Sequence, residues 1–516
     1  MKTFKRGLSI LLTAAVALSM VMAVPITASA GTGVIEINGG NDLTLHGDVS
    51  VYKIFDLTFD KDNGSYSYTP IKPTDPFADF KGYASNETES FLNYMLRLAE
   101  NEELNDSDTM IDLSKALWRY ITDEKIAPTA TASPSGKRVT ISGLEPGYYL
   151  VMGKGYDPDR MDSTDDAVMS RPILVTVDGV DATLVFLKAD APYIKKEVMD
   201  EYNGWDDWAN AHIGVSVEFW LKSSVPDMTG YESYVFTVHD TMSAGLTFDP
   251  DSVSVIVGGI DQTEGVHYIV NMSPADGCTF EIIFVPTEFI KYTEGDFVSI
   301  SYNATVNENA VIGSEGNSNK AQLEYSNDPN SDGKGKTPDD ETAIVYIFEI
   351  PVFKYTGEDK PLAGAEFELH RLLLRGIDDE KITFELVSIG DADNPTIYRY
   401  SETGTVVTLV TPLSGLIRLI GVNMGSYSLV ETKAPDGYNL LKDPIRVRIT
   451  HNTGDGISIL YVNDSETMPQ IVKVENNSGN EFPGTGGIGR VIFIMTGSLL
   501  MAGALAALII RKRARS

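Results

Sequence analysis

Between residues 31 and 480 the hydrophobic positions recur mainly with period two. Short runs rich in Val, Ile, Thr, Tyr and Phe, such as VSVYKIF at 49–55, SYVFTVHD at 233–240, DFVSISYNATV at 296–306 and IRVRIT at 445–450, are broken by Gly, Pro, Asn and Asp. That is the pattern of strands and turns. It predicts an all-β chain of tandem Ig-like sandwiches. One stretch departs from it. Phe91, Tyr94, Met95 and Leu98 recur at helical spacing, as do Leu113, Leu117, Tyr120 and Ile121, so two helices are expected as an insertion in the first domain. Composition shifts at KADAP (188–192) and at SNDPNSDGKGKTPDDE (326–341) divide the body into three expected domains: 31–188, 189–343 and 344–480.

The two ends differ from the body. The start carries Lys2, Lys5 and Arg6, an apolar run, and Ala28-Ser29-Ala30, which predicts a secretory signal peptide over 1–30. Near the other end Val491–Ile510 holds no charged residue and is followed by RKRARS. About 20 residues at ~1.5 Å each suffice to cross a bilayer, with the basic tail inside. Removing the eight basic residues of these ends, which hold no acid, takes the formal charge from −32 to −40 for residues 31–485. So acidic a body repels phosphate backbones, which disfavours nucleic-acid binding. Cys278 is the one cysteine, so no intramolecular disulfide can form; it reads as a small hydrophobe of the core, with no paired His motif nearby.

Strand alternation sorts the lysines of VFLKADAPYIKKEV, residues 185–198. Ile194, Lys196 and Val198 share one face and Lys195 and Glu197 the other. Lys196 therefore points inward, where desolvation lowers an amine's pKa and yields a neutral nucleophile. Asp328, Asn330, Asp332, Gly333 and Asp339 fall at positions of a calcium-loop pattern. With Asp for the bidentate Glu and Lys334 and Lys336 intruding, a solvated linker is the expectation. The six histidines accompany no metal or nucleophile motif, so no cofactor and no turnover enzyme are expected.

Before the apolar segment stands Glu481-Phe482-Pro483-Gly484-Thr485-Gly486-Gly487, an extended peptide because Pro and Gly break regular structure. Motif, apolar span and basic tail together resemble the cell-wall sorting signal of Gram-positive surface proteins, usually Leu-Pro-x-Thr-Gly, with Phe482 in place of Leu. VFLKADAP, FTVHDTMSAGLTF, GNSNKAQLEYSNDP, KPLAGAEFEL and LVETKAPDGY extend the resemblance, through most of the mature chain, to the backbone pilins of sortase-assembled pili, with CnaA-like middle and CnaB-like last domains.

That resemblance implies that a sortase cuts after Thr485 and passes its carbonyl to a lysine of another subunit. Val185-Phe186-Leu187-Lys188 stands where the family has Val-Tyr-Pro-Lys, which makes Lys188 the implied acceptor. It also implies internal Lys–Asn isopeptide bonds promoted by an acid: Lys196, Asp240 and Asn319 in the middle domain, with Asn317 and Asn327 open as alternatives, and Lys354, Glu431 and Asn476 in the last. Lys53 of the first domain lacks the Glu-Thr that follows the matching strand elsewhere and is assigned no bond. The implied partners are sortase, identical subunits, peptidoglycan, minor pilins and host surface ligands. A monomeric wall-anchored adhesin is the rival reading.

Overall fold

In the computed structural model the described residues are 33–39, 43–60, 65–81, 89–100, 107–189, 191–201, 203–372, 380–452, 457–479 and 488–513. The expected signal peptide and the residues Phe482, Pro483, Gly484, Thr485 and Gly486 lie outside them. The chain divides into two compact units, Met1–Val311 with Glu315–Ile347, and Ile312–Ser314 with Phe348–Ser516. The first unit holds both of the first two expected domains.

The first domain is built on the long strand Thr44–Asp60, which pairs with Gly147–Tyr156 and Ser65–Thr69. Both faces of this strand are covered. On one, Val49 and Val51 join Ile35, Ile37, Val139, Ile141 and Val185 in a core shared with a three-stranded sheet. On the other, Tyr52, Ile54 and Phe55 join Phe91, Leu113, Leu117, Trp118 and Ile121 of the helices Phe91–Glu100 and Ser107–Asp123. A register shift between Lys53 and Phe55 advances the alternation, so consecutive residues Ile54 and Phe55 both serve the helix-side core. The helices lie where helical spacing predicted them, with the apolar faces turned inward.

The middle domain is a sandwich. One sheet runs Gly204–Asp206, Lys195–Asp200, Ser216–Ser224, Phe297–Val306, Leu246–Val257, Ile260–Asp261. The other runs Trp208–Asn210, Glu341–Tyr346, Asn317–Ser326, Phe236–Met242, Phe280–Phe284, Tyr268–Asn271. Phe219, Phe236, Phe248, Phe280, Tyr302 and Tyr325 fill the space between them. Strand Asn317–Ser326 alternates buried and half-buried along its whole length, which sets Asn317, Asn319, Ala321, Leu323 and Tyr325 inside.

The 326–341 segment is not a solvated linker. Lys334–Lys336 forms a strand on Asn317–Ser326. The Lys336 amide donates to Asp166 Oδ1 at 2.9 Å, Asn327 Nδ2 donates to the Asp165 carbonyl at 3.0 Å, and Lys154 lies 2.6 Å from Asp328. The segment is thus held against the first domain, and Asp328, first in the calcium-loop pattern, is neutralised by a lysine. Lys115 and Arg171 add ion pairs to Glu294 at 2.5 and 2.6 Å, so the first two domains share a polar interface within one unit.

In the second unit, Phe348–Thr356 pairs antiparallel with Leu416–Val422 and parallel with Val472–Glu475, while Glu366–Arg371, Gly425–Lys433, Ile445–Asn452 and Ile457–Val462 form the facing sheet. The expected membrane span lies within a helix, Ile488–Arg513. Among residues described in full, no helix is long and apolar enough to cross a membrane; the side chains of Val491, Ile492, Phe493, Leu508 and Ile510 lie outside that set.

Leu117, wholly buried between helix and sheet, gives a direct test of this packing. Leu117→Ala should destabilise the first unit by roughly 2–5 kcal/mol in chemical denaturation, and trypsin should cut the helical insertion sooner.

Candidate functional site

A lone ammonium is costly to bury, and proteins leave one inside only with partners. Among the described residues two lysines are wholly buried, Lys196 and Lys354, and each lies beside a buried acid. Strand geometry puts them there: each occupies a core-facing position in a strand whose neighbours on that face are apolar.

In the middle domain Lys196 Nζ lies 2.6 Å from Asp240 Oδ2 and donates to the Lys320 carbonyl at 3.4 Å. It also sits over the rings of Phe219 and Tyr302, 5.5 and 5.6 Å from their centroids. Tyr302 donates its hydroxyl to the same Asp240 oxygen and accepts from Asn319 Nδ2 at 3.0 Å. Lysine, acid, tyrosine and amide therefore form one chain of contacts across the sandwich, Lys196 and Tyr302 from one sheet, Asp240 and Asn319 from the other. Among the described residues the carbonyl Oδ1 of Asn319 and the Oδ1 of Asp240 have no hydrogen-bond partner.

Burial governs the charges here. It pushes Lys196 down to about 8, against the opposing pull of Asp240. It raises Asp240, against Lys196 and Tyr302, and raises Tyr302 well above its ordinary value. Both members of the pair are driven toward neutral amine and protonated acid.

Three asparagines share the core face of Asn317–Ser326 or its extension, and their hydrogen bonds separate them. Asn317 accepts from the Val311 amide at 2.8 Å and donates to the Val311 and Val345 carbonyls at 3.0 and 3.1 Å, which fixes a loop. Asn327 faces the first domain. Only Asn319 of the three reaches the group around Lys196.

In the last domain the three residues touch directly. Lys354 Nζ lies 2.9 Å from Glu431 Oε1 and donates to Asn476 Oδ1. Asn476 Nδ2 donates to Glu431 Oε1 and Oε2 at 2.9 and 3.1 Å, and the Leu441 amide donates to Oε2 at 2.9 Å. Burial lowers the Lys354 pKa, opposed by Glu431. Parallel pairing of Lys354 with Val474 brings Asn476, two residues on, level with the lysine's end.

Lys53 is buried in the first domain, but its partners are carboxylates, Asp56 at 2.6 Å and Glu145 at 3.0 Å. Lys188 is exposed just beyond the edge strand Ala182–Phe186, which pairs parallel with Gly33–Asn38. Leu184 and Phe186 are exposed beside it, while Val185 and Leu187 are buried. Lys195 is exposed, 3.4 Å from Glu197. Cys278 is half-buried rather than buried, and its thiol donates to the Phe280 carbonyl at 3.3 Å. Burial, then Asp276, push that thiol up to about 12, so it is a poor nucleophile at neutral pH.

The sequence reading missed Tyr302. Its signal was present: in FVSISYNATV the tyrosine alternates with Val298, Ile300, Ala304 and Val306, and a tyrosine on a core face needs a partner for its hydroxyl.

Residues 213–329 match a family model described as Gram-positive pilin backbone subunit 2, Cna-B-like domain. Residues 349–464 match the SpaA prealbumin-like fold domain. The trypsin-resistant surface T6 protein of Streptococcus pyogenes serotype M6 is 26% identical over 387 residues, 63% of this chain and 70% of the relative. Among solved structures, the T6 backbone pilin of that serotype is similar with a TM-score of 0.45 and 20% identity, over 88% of this chain and 94% of that one. The major pilin SpaD from Corynebacterium diphtheriae gives 0.47 and 17%, over 87% and 98%.

The depressed lysine predicts a pH dependence in a chain that keeps Lys196 and Asp240 but loses the amide, Asn319→Ala. Between about 8 and 10.5 the unfolded lysine still binds a proton that the folded one has released. Stability should therefore rise with pH through that window. The increment should vanish in Lys196→Met/Asn319→Ala; parallel melting curves for the two variants would contradict it.

Proposed function

We propose that this chain, a Gram-positive major backbone pilin with Cna-B-like domains, is polymerised by a sortase through Thr485 and Lys188 and locked internally by two isopeptide bonds. The observation that carries the internal bonds is the contact of Lys354, Glu431 and Asn476 in a wholly buried group.

The chemistry follows from the neutral forms that burial favours. The lysine amine attacks the asparagine Cγ, the C–N bond to Nδ2 breaks, and an Nζ–Cγ amide and ammonia result. An amide is a poor electrophile, so the protonated acid must polarise its carbonyl and then move the amine's proton to the departing nitrogen. Glu431 is within hydrogen-bond reach of that nitrogen in the last domain. In the middle domain Tyr302 spans the gap between Asp240 and Asn319 Nδ2 and serves as the relay. Fixed proximity replaces the entropy that two free reactants would lose.

Between subunits the requirement reverses. The acceptor amine must reach an enzyme's active site, and Lys188 is exposed beside the apolar side chains Leu184 and Phe186, a surface on which a protein can seat. The Phe482-Pro483-Gly484-Thr485-Gly486 peptide supplies the cleaved bond, the helix behind it holds the chain at the membrane until transfer, and peptidoglycan receives the finished polymer.

The mature chain should weigh two ammonia masses less than its sequence, and Asp240→Ala and Glu431→Ala should each restore one. Tyr302→Phe should delay loss of the middle-domain ammonia while leaving the other unaffected. An intact mass equal to the plain sequence sinks both bonds. For assembly, Lys188→Ala and Thr485→Ala should each abolish the high-mass ladder on denaturing gels while the chain stays folded. A persistent ladder in Lys188→Ala moves the acceptor role to another lysine, Lys195 first.

A further inference from the structure

Beside Asp240, but on the opposite face of its strand, lies a second cluster that the bonding chemistry does not use. His239, Asp276, Cys278 and Glu281 each present one ligand atom, all within 4.8 Å of one another. His239 is cross-strand neighbour to Glu281, and Asp276 and Cys278 belong to the segment that connects Tyr268–Asn271 to Phe280–Phe284. We propose that these four side chains bind a divalent transition metal, with Zn2+ the best match, and that the metal ties this connection to strand Phe236–Met242.

The histidine is the main reason. It is about nine-tenths buried, and neither of its ring nitrogens has a well-aligned hydrogen-bond partner among the described residues. Nδ1 is 2.8 Å from Asp276 Oδ2 and 3.3 Å from Glu281 Oε1, but without hydrogen-bond alignment to either. A buried imidazole without an aligned partner, facing two carboxylate oxygens and a sulfur, is placed as a ligand rather than as a donor.

Each carboxylate is also oriented so that one oxygen remains for a cation. The Cys278 amide donates to Asp276 Oδ1 at 3.1 Å, leaving Oδ2 toward the histidine. Asn271 Nδ2 donates to Glu281 Oε2 at 2.7 Å, leaving Oε1. Such outer hydrogen bonds are what fix ligating carboxylates in metal sites. No lysine or arginine among the described residues pairs with Asp276 or Glu281, so the cluster has no side-chain cation other than a protonated histidine to balance it.

The donor set selects the metal. One imidazole, one thiolate and two carboxylate oxygens suit Zn2+, which takes four such ligands tetrahedrally at about 2.0–2.3 Å, whereas a thiolate and an imidazole are poor ligands for Ca2+ or Mg2+. Binding expels the Cys278 proton, since a coordinating thiol is held as thiolate. The ligands come from a strand and from a D-x-C-x-x-E stretch 37 residues further on, an order that no short motif describes, which is why the sequence alone offered no metal site.

The test uses the untagged full chain, stripped with a chelator and titrated with Zn2+ by calorimetry and with Co2+ by absorption. One equivalent of either metal should bind, and Co2+ should develop the sulfur-to-cobalt charge-transfer band that only a thiolate gives. Cys278→Ser should abolish the band. Cys278→Ser and Glu281→Gln should each weaken Zn2+ by more than about tenfold, because even an outer partner contributes about 10–100-fold; Asn271→Ala should show that smaller effect. Zn2+ should raise the melting temperature of the unaltered chain but not of Cys278→Ser. Absence of binding overturns the proposal, and so does multi-equivalent binding that these substitutions leave unchanged, which would be general attraction to the acidic surface. Both substitutions keep side-chain shape; should Cys278→Ser fail to fold, Glu281→Gln decides alone.

Discussion

The desolvation of two lysines is the constraint on which the rest of this structure depends. Taken out of water, an ammonium and a carboxylate lose more hydration than their mutual attraction returns unless every remaining donor and acceptor is met. Around Lys354 they are largely met, by Glu431, Asn476 and the Leu441 amide. Around Lys196 they are not: among the described residues Asp240 Oδ1 and Asn319 Oδ1 have no partner. A buried polar group left in that state is a standing penalty, and turning amine and amide into one neutral linkage removes one of the buried titratable groups, the Lys196 amine, from the core. The proposed bond thus consumes the amine whose desolvation sets the constraint and leaves in place the acid that promotes it.

The two groups would resist force differently. In the last domain Lys354 lies on Phe348–Thr356 and Asn476 just beyond Val472–Glu475, strands that pair in one sheet. A bond there fastens the domain's first and last strands side by side. In the middle domain Lys196 and Asn319 belong to opposed sheets, and Asn319 is not on the domain's last strand, since Lys334–Lys336 and Glu341–Tyr346 follow it. That bond would fasten the two layers of the sandwich across its core. On the chain-entropy account, closing loops of this length stabilises by about 5 kcal/mol each, a large amount beside the 5–15 kcal/mol of an ordinary domain. A chain with Cys278 as its one cysteine has no disulfide to supply this.

The resemblance to backbone pilins supplied Asp240, Asn319, Lys354, Glu431 and Asn476, and period two in the sequence sorted faces. It set Lys196 inward and Lys195 outward, put Asn319 in phase with Ala321, Leu323 and Tyr325, and put Asn476 in phase with Val472 and Val474. Helical spacing likewise located both helices, because their apolar faces meet a sheet. What stayed hidden depended on contacts between distant segments. Alternation could not rank Asn317, Asn319 and Asn327, which share a face; only their separate partners, the Val311 loop, Tyr302 and the Asp165 carbonyl, divide them. The acidic segment 326–341 looked solvated because its charge and glycines are those of a linker, and nothing local announces that Asp166 and Lys154 lie opposite it. Strand Thr44–Asp60 hid its second buried face because its bulge puts two consecutive residues on one side.

Exposure, more than residue type, divides the lysines of this protein by chemistry. An amine that is to react with its own chain gains from exclusion of water, since only a desolvated lysine is neutral at ordinary pH and only a fixed one stays beside its amide. An amine that is to be joined by another protein needs the reverse, because the enzyme must bring its own base and its own desolvated cleft. Lys196 and Lys188 stand eight positions apart in the sequence, one wholly buried between two sheets and the other in solvent past the end of an edge strand. Exchanging these environments would disable both proposed reactions, since a buried Lys188 could not enter a sortase and an exposed Lys196 would keep its proton. On the proposed function, the short path from one domain's last strand to the next domain's first strand therefore carries two nucleophiles whose reactions do not compete.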